Sequence, residues 1–334
     1  MEAFRYVISY ACRKQVPYIF GAGDLIDIKK PPPEVVQFVR AQLDELEKNS
    51  IEFFFIQGQH EYSPDLPWFC AIHDWPQWLN QRYVTIADNC NVYGLDWRPA
   101  DAIPDAFENI PYDTDILLTH QVWEEFMGEK CGCECSFATV PHAHTVFTGD
   151  YHVNKHVMMK RIGKEDLRVI SPGSTNMRKI DEPQDKYFYV LMDDMSWKRV
   201  RIPTRHKFEL SIHSETSLKH FPENYANKLA AAREHAKLFK LDNKIARPLF
   251  RVLYHDDIAD AYKVIKETVD PKDVELFLKP VPANAPEAIK VDRQAFDQAS
   301  SRGLVAMLGT VVEQESASYK ILSRLLTCPD TKLE

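Results

Sequence analysis

The chain has 334 residues, a formal net charge of −8 and a mean hydropathy of −0.37. This length allows one large domain and a smaller one, and no apolar run approaches the roughly 18 residues of a membrane span. The N-terminus has no basic segment leading into an apolar run, so we expect no signal peptide, no membrane partner and a cytoplasmic location. The acidic charge excludes nucleic-acid binding by bulk electrostatics, although metal ions bound at an acidic site can reverse the local sign.

The cysteines exclude a secreted disulfide scaffold, because there are seven of them at irregular spacing. Cys131, Cys133 and Cys135 form a Cys-x-Cys-x-Cys run, whereas zinc ribbons use paired Cys-x-x-Cys motifs. A metal site and a loop with incidental thiols both remain open there, and we favour the loop.

In chain order, the first part of the sequence alternates helices and strands. Residues 1–14 carry apolar side chains at helical spacing, and residues 18–20 form a short strand. Three prolines introduce a helix over residues 34–48, and residues 51–57 are an apolar strand that we expect to be buried on both faces. This order of elements predicts a parallel α/β layer.

An irregular region rich in Trp and Pro separates these elements from a second series of strands. Those strands are predicted at residues 91–97, 115–119, 145–148, 168–170 and 187–192. Residues 205–245 are more polar than the preceding part of the chain and carry mixed charge, and no helix or strand is predicted there. A strand-helix-strand unit then covers residues 249–278, and a last helix is predicted over residues 304–327.

Polar side chains that can bind metal follow four of the predicted strands. They are Asp24, Gln59, His60, His120, Asp150 and His152. Taken alone, Asp24 is better explained as a loop cap and His60 as a satisfied polar residue, while His120 and the Asp150-Tyr151-His152 motif are weak signals. Together they are expected to share one crevice, because ligands bind beyond the carboxyl ends of strands in open α/β sheets. Gly23, Gly58 and Gly149 precede them, as a sharp turn off each strand requires. Carboxylate, amide and imidazole groups suit Mn, Fe or Zn, and two such ions can clamp a phosphate.

The order of these motifs resembles the calcineurin-like metallophosphoesterases. Gly23-Asp24-Leu25-Ile26-Asp27 is similar to the Gly-Asp-x-x-Asp motif of that superfamily, and Gly58-Gln59-His60-Glu61 to its Gly-Asn-His-Asp/Glu motif. Leu117-Leu118-Thr119-His120 and Gly149-Asp150-Tyr151-His152 are similar to its apolar-strand-His and Gly-His-x-His motifs. Ser171-Pro172-Gly173-Ser174 resembles the Pro-Gly-Ser segment of SbcD-type DNA-repair nucleases, in a form similar to bacteriophage versions. The residues after that segment that share the resemblance are Met177, Arg178, Asp181 and Glu182.

The resemblance implies an α/β metallophosphoesterase sandwich of β-sheets flanked by helices, with a small α+β capping domain and a C-terminal helix. The nuclease domain would span residues 1–204, the capping domain residues 205–282, and a linker with a helical partner-binding region residues 283–334. The implied function is an exonuclease or endonuclease that acts on DNA ends in repair or recombination, by attack of a metal-bound hydroxide on phosphorus. The implied partners are DNA, an SbcC-type ATPase subunit and a second copy of the chain.

Carried over to this sequence, the resemblance implies two divalent metal ions, with Mn²⁺ as the expected metal. Asp24 would bridge both ions, and Gln59 would replace the usual Asn as an amide ligand. His120, Asp150 and His152 would complete the sites, with Asp150 standing where the family has His. His60 would be the catalytic residue that protonates the leaving oxygen or stabilises the transition state.

One departure from the family pattern is that its first motif, Asp-x-His at the end of the first strand, is not found. Two ligands of the first metal and a central strand would then be missing. A truncated gene, a split gene and a protein with one metal site or none remain as explanations, and we favour the first two. Two other functions remain open: a metallophosphoesterase for a small phosphoester, which needs no capping domain, and a catalytically impaired scaffold that binds the ATPase or DNA.

Overall fold

The computed structural model describes residues 1–281, except residues 27, 66, 87–88, 128–132, 141, 161–165, 178–179, 181, 193–195, 242–245 and 256. The predicted helix over residues 304–327 and most of the predicted linker therefore lie outside the described residues, as do Asp27, Cys131, Arg178 and Asp181. Residues Met1–Tyr254 and Asp260–Lys279 form one compact unit. The predicted domain boundary at residue 204 stays a prediction.

The helices of the described part differ widely in length. They are α1 (Glu2–Lys14), α2 (Pro33–Lys48), α3 (Trp68–Ile72), α4 (Ile103–Glu108), α5 (Glu124–Met127), α6 (Glu215–Leu238) and α7 (Ala261–Thr268). Within the described residues, no helix is both long and apolar enough to cross a membrane.

The strands are short and fall into separate sheets. They are β1 (Tyr18–Ala22), β2 (Glu52–Ile56), β3 (Gln77–Trp78), β4 (Arg82–Ile86), β5 (Cys90–Leu95), β6 (Ile116–Thr119), β7 (Thr145–Thr148), β8 (Lys155–Met159), β9 (Leu167–Ser171), β10 (Lys186–Leu191), β11 (Trp197–Ile202), β12 (Lys207–Ile212), β13 (Leu249–His255) and β14 (Glu275–Val281).

The sheet order brings several strand ends to one edge. Among the described strands, β1, β2 and β3 form a parallel sheet, and a larger sheet has the order β4-β5-β6-β7-β9-β8. In the larger sheet β5, β6, β7 and β9 are parallel, while β4 and β8 run antiparallel at the two edges. The carboxyl ends of the four parallel strands therefore lie at the same edge. The hairpin β10-β11 and the sheet β12-β13-β14 are separate.

Alternating side chains of the central strands supply two cores. Leu118 pairs with Phe147, and both belong to a core that β2 shares. The neighbouring pair, Leu117 and Val146, belongs to a second core that includes Phe107 of α4. The opposite face of β2 packs against α1 and α2 in a third core. Strands β2, β6 and β7 are thus buried on both faces, which explains why apolar residues stand side by side in each of them instead of alternating with polar ones.

The predicted α/β class, with sheets flanked by helices, is confirmed, and the strand-helix-strand unit is present as β13, α7 and β14. Several elements were not predicted, including α4, β8 and β11. The Trp- and Pro-rich region contains α3, β3 and β4, and residues 205–245 contain β12 and α6. A capping box at Ser214 and Ser217 begins α6, and one helical stripe buries its apolar residues. Those residues are Leu218, Phe221, Tyr225, Leu229 and Ala232.

Candidate metal centre

Asp24 lies in the turn after β1, and its side chain contacts the turn that follows β2. Its φ of 49° and the φ of 79° at Gly23 turn the chain off the strand in the left-handed region. Oδ1 of Asp24 accepts the backbone N–H of His60 at 3.0 Å. A Cβ atom on Gly58 would lie 2.2 Å from that oxygen, so the close approach of the two turns requires glycine at position 58.

His120, directly after β6, is buried with 2% of its side chain exposed. Its Nδ1 lies 2.6 Å from the carbonyl oxygen of Ala22. Because a carbonyl only accepts, Nδ1 carries the proton and Nε2 keeps a lone pair when the ring is neutral. Nε2 lies 3.4 Å from Oδ2 of Asp24 and 3.9 Å from Oδ1 of Asp150, and it has no hydrogen-bond partner among the described residues. Metal-binding histidines have this arrangement, in which the other ring nitrogen donates to a carbonyl.

Asp150 reaches the same place from the turn after β7, where its φ is 66°. Its Oδ1 accepts the side-chain N–H of Gln59 at 2.7 Å. The other amide atom of Gln59, Oε1, is buried and makes no hydrogen bond within the described part of the chain. A buried amide oxygen without a partner costs free energy unless a ligand satisfies it.

These residues fit a divalent metal ion. Ligand atoms of Asp24, His120 and Asp150 all lie within 4.8 Å of one another. Two carboxylates, an imidazole and the nearby amide form a donor set that suits Mn²⁺, Fe²⁺ or Zn²⁺. A cation would also satisfy the two buried atoms without partners, Nε2 of His120 and Oε1 of Gln59. The predicted ligands Asp24, Gln59, His120 and Asp150 thus come together, and their binding of metal stays a prediction.

The pKa shifts in this group have opposing causes. Burial acts to raise the pKa of Asp24, but the His120 ring and the backbone N–H of His60 outweigh it and hold that pKa below its usual value. Burial acts to lower the pKa of His120, and the Asp24 carboxylate, the Ala22 carbonyl and the Asp150 carboxylate together raise it above its usual value. The contact between the Asp24 carboxylate and the His120 ring contributes to both shifts, whereas the Asp150 carboxylate contributes to that of His120.

Glu61 supports the turn that carries Asp24, a role that sequence reasoning did not assign. Its buried carboxylate accepts the backbone N–H groups of Leu25 and Ile26, each at 3.4 Å. Burial first, and then the charge of Asp24, raise the pKa of Glu61 to about 7. Glu61 ends the motif at positions 58–61, and an acidic residue there was the sequence signal that could have indicated this role.

His60 lies at the open side of the group. Its side chain is 45% exposed, and its Nε2 is 3.8 Å from Oδ2 of Asp24. An exposed imidazole at that distance can reach a ligand that enters from solvent. The predicted catalytic role of His60 requires such a position, and the role itself stays a prediction.

His152 is not part of the group of three residues within 4.8 Å. Its Nδ1 instead lies 3.2 Å from Oε1 of Glu182, a residue to which sequence reasoning gave no role in the site. Because Nδ1 makes this contact, Nε2 is the ring atom of His152 that would bind a metal ion. The metal-binding role predicted for His152 stays a prediction.

Two other groups of possible ligands are poorer candidates for a metal site. Cys135 is partly buried, and burial followed by the charges of Glu134 and Glu125 raises the pKa of its thiol. No cluster of possible metal ligands among the described residues includes a cysteine. Asp44, Glu47 and His73 do form a cluster, but Nδ1 of His73 accepts the backbone N–H of Trp75 at 3.0 Å. Nε2 of His73 therefore carries the proton that is donated to Asp44, and its lone pair is not available.

Comparison with known proteins gives relatives of low identity. No protein-family profile matches the sequence. The chain is 26% identical over 219 residues to the DNA double-strand break repair protein Mre11 of Methanosarcina acetivorans, and 26% identical over 218 residues to that of Methanosarcina mazei. Each alignment covers 61% of this chain but only 35% and 34% of the two relatives, so the chain spans about a third of their length.

A third relative is the uncharacterized metallophosphoesterase YhaO of Bacillus subtilis, which is 24% identical over 201 residues, or 56% of this chain and 48% of that protein. Among solved structures, TT1561 of Thermus thermophilus matches 60% of this chain and 92% of its own, with 14% identity and a TM-score of 0.39. The sequence relatives support the calcineurin-like metallophosphoesterase superfamily that the motifs resemble. They do not distinguish an SbcD-type or bacteriophage form.

Proposed function

We propose that the chain is a Mn²⁺-dependent phosphodiesterase that acts as an exonuclease or endonuclease on DNA ends in repair or recombination. The observation that carries the proposal is the convergence of Asp24, His120 and Asp150 within 4.8 Å at the ends of three strands. Carboxylate and imidazole groups at such an edge suit a divalent cation that binds phosphate. The relatives named as Mre11 repair proteins support DNA as the substrate.

Asp24, His120, Asp150 and the amide oxygen of Gln59 would hold the metal, with His152 as a further ligand. Two bound ions would polarise the phosphodiester and supply the nucleophile for hydrolysis. The chain itself prepares this site, because the Ala22 carbonyl holds the Nδ1 proton of His120 and so directs the lone pair of Nε2 toward the carboxylates.

His60 would donate a proton to the leaving oxygen. Its exposed ring lies 3.8 Å from Asp24, so a phosphodiester bound at the metal group comes within its reach. A proton passed from Nε2 avoids the release of an unprotonated alkoxide, and general acids of this kind contribute about 10²–10⁴ in rate. The hydrogen bond from the His60 backbone to Asp24 holds the donor beside the ligands.

Tyr62 and Arg98 suit a nucleic-acid substrate. Tyr62 is two residues from His60, so their Cα atoms are at most about 7.6 Å apart, and Tyr62 is 37% exposed. Arg98 donates to the Tyr62 hydroxyl at 3.1 Å, and its guanidinium carbon lies 5.8 Å from the ring centre. An aromatic ring beside a guanidinium group can stack on a base and bind a phosphate. The pair gives an acidic chain a local cationic contact next to the site.

The family resemblance extends the proposal to an assembly in the cytoplasm. The proposed partners are an SbcC-type ATPase subunit, which would bind residues 283–334, and a second copy of the chain. Residues 205–282 would form the capping domain over the DNA. Within the described part of that segment, α6 packs against β12 of the β12-β13-β14 sheet.

The test is hydrolysis of linear double-stranded DNA by the full chain with added Mn²⁺. We expect His60→Ala to lose about 10²–10⁴ in rate. The matched control is His156→Ala, which removes an exposed ring from β8, outside the proposed capping domain, and should keep the rate of the unmodified chain. Activity that is independent of Mn²⁺, or equal in His60→Ala, would contradict the proposal.

A second substrate separates the remaining alternatives. Hydrolysis of bis(p-nitrophenyl) phosphate without hydrolysis of DNA would indicate a small-phosphoester enzyme. A folded chain that cleaves neither substrate and binds no Mn²⁺ in calorimetry would instead be a scaffold.

A further inference from the structure

A buried ion pair lies beside His152. Lys186, the first residue of β10, has 2% of its side chain exposed, and its Nζ donates to Oε2 of Glu182 at 2.7 Å. The side chain of Glu182 is 9% exposed. Taking two charges out of water costs several kcal/mol for each ion, so such a pair is poorly explained by stability alone.

The same carboxylate holds the ring of His152. Oε1 of Glu182 lies 3.2 Å from Nδ1 of His152. Because the carboxylate accepts, the ring donates its Nδ1 proton and, when neutral, keeps the lone pair on Nε2. A metal ligand needs this tautomer, and a carboxylate on the far nitrogen fixes the ring orientation as well.

Ser174 extends the network to the main chain of His152. Its Oγ accepts from Nζ of Lys186 at 2.6 Å and donates to Oε2 of Glu182 at 3.0 Å. The backbone N–H of Ser174 donates to the carbonyl of His152 at 3.3 Å, and Lys186 donates to the same carbonyl at 3.5 Å. One network from three chain segments therefore holds both the ring and the backbone of His152.

We propose that Glu182, supported by Lys186 and Ser174, is a positioning residue that orients His152 as a metal ligand. The inference rests on the proposed function, which gives His152 its ligand role. It also gives the Ser171-Pro172-Gly173-Ser174 segment a task, because the second serine of that segment completes the network.

Glu182→Gln tests the tautomer directly, because it keeps the size of the side chain and replaces one oxygen with an NH₂ group. Lys186 offers only donors, so the remaining oxygen turns toward Nζ and the NH₂ group faces His152. Nδ1 of His152 must then accept, which moves the ring proton to Nε2. We expect the Mn²⁺ dissociation constant, measured by isothermal titration calorimetry on the full chain, to rise about 10- to 100-fold.

A double variant, Glu182→Gln with Lys186→Met, separates positioning from a general loss of structure. Without the ammonium group, the amide oxygen introduced at position 182 is free to turn back and accept the Nδ1 proton of His152. Most of the lost Mn²⁺ affinity should then return, whereas a merely structural role predicts a further loss. Glu275→Gln is the matched control, since Glu275 pairs with Arg205 at 2.8 Å and should leave the affinity unchanged.

Each outcome bears on a different claim. Unchanged Mn²⁺ affinity in folded Glu182→Gln would overturn the positioning role, and so would a double variant that binds no better than the single one. An unmodified chain that binds no Mn²⁺ would refute the proposed function itself, and the positioning role with it.

Discussion

Gly149→Ala should disrupt the site at the point where three of its turns meet. A Cβ atom at this position would lie 2.1 Å from the Ala22 carbonyl oxygen and 2.3 Å from Nδ1 of His120. These two atoms form the hydrogen bond that fixes the His120 tautomer. Gly149 does not have a left-handed φ, so the effect is steric and involves no backbone strain.

The size of the effect follows from these distances. Cβ atoms make ordinary contacts at 3.4 Å or more, so the groups must move apart by about 1 Å. Overpacking of a dense interior costs about 1–3 kcal/mol, and a buried polar group that loses its partner costs about 1–3 kcal/mol more. We expect the free energy of unfolding to fall by about 2–6 kcal/mol, and the Mn²⁺ affinity to fall about 10- to 100-fold because His120 loses its fixed tautomer.

Urea unfolding and Mn²⁺ calorimetry measure the two effects separately. Gly21→Ala in β1 is the matched control, because its Cβ atom would lie 3.4 Å from Phe53 and Phe55, an ordinary contact. That control should change the free energy of unfolding by less than about 1 kcal/mol. If Gly149→Ala kept its stability to within about 0.5 kcal/mol and its full Mn²⁺ affinity, the steric argument would be refuted.

Three further predictions concern the substrate contact, α6 and the pH dependence of stability. Tyr62→Ala should weaken single-stranded oligonucleotide binding by about 1–3 kcal/mol in fluorescence anisotropy, while Tyr62→Phe keeps the stacking face; equal affinities in the two variants would contradict base stacking. Ser214→Ala removes the side chain that accepts the Ser217 backbone N–H at 3.2 Å, and should lower the free energy of unfolding by about 1 kcal/mol in urea titrations. Burial, followed by the charges of His235 and Lys228, lowers the pKa of His206 below 6.5 in the folded chain. The unfolded chain therefore binds the proton more readily than the folded chain. The stability that His206 contributes in its neutral form is lost as the pH falls below 6.5. His206→Asn should therefore lose less stability than the unmodified chain between about pH 7.5 and 5.5, and equal losses would argue against it.

The location of the site could be predicted because its ligands follow strands that are easy to recognise. Residues Ile116–Thr119 and Thr145–Thr148 are entirely buried, and strands of that kind carry no charged residue and show no apolar-polar alternation. A polar residue that directly follows such a strand must lie at the edge of the sheet. His120 and Asp150 were found in this way.

The remaining features depend on contacts between distant segments. Glu182 is 30 residues from His152, and nothing in the local pattern indicates that its carboxylate accepts the ring proton. Strand β4 was missed although Val84 and Ile86 alternate with exposed neighbours, because it lies at the edge of the sheet and none of its residues is fully buried. The tautomer of His120 follows from a carbonyl 98 residues away, which only the folded chain brings to Nδ1.

The motif resemblance pairs Asp150 with a His, and the backbone of this turn restricts which residues can stand at position 150. At a φ of 66°, glycine, asparagine, aspartate and histidine adopt the left-handed region most readily. Of these four, aspartate and histidine are the strong donors to a divalent cation. Glutamate or cysteine would also offer a donor, but either would add about 1–2 kcal/mol of backbone strain. A residue at this position must therefore adopt the left-handed backbone conformation and also offer a donor to the cation. An exchange between histidine and aspartate is one of the few substitutions that meets both requirements.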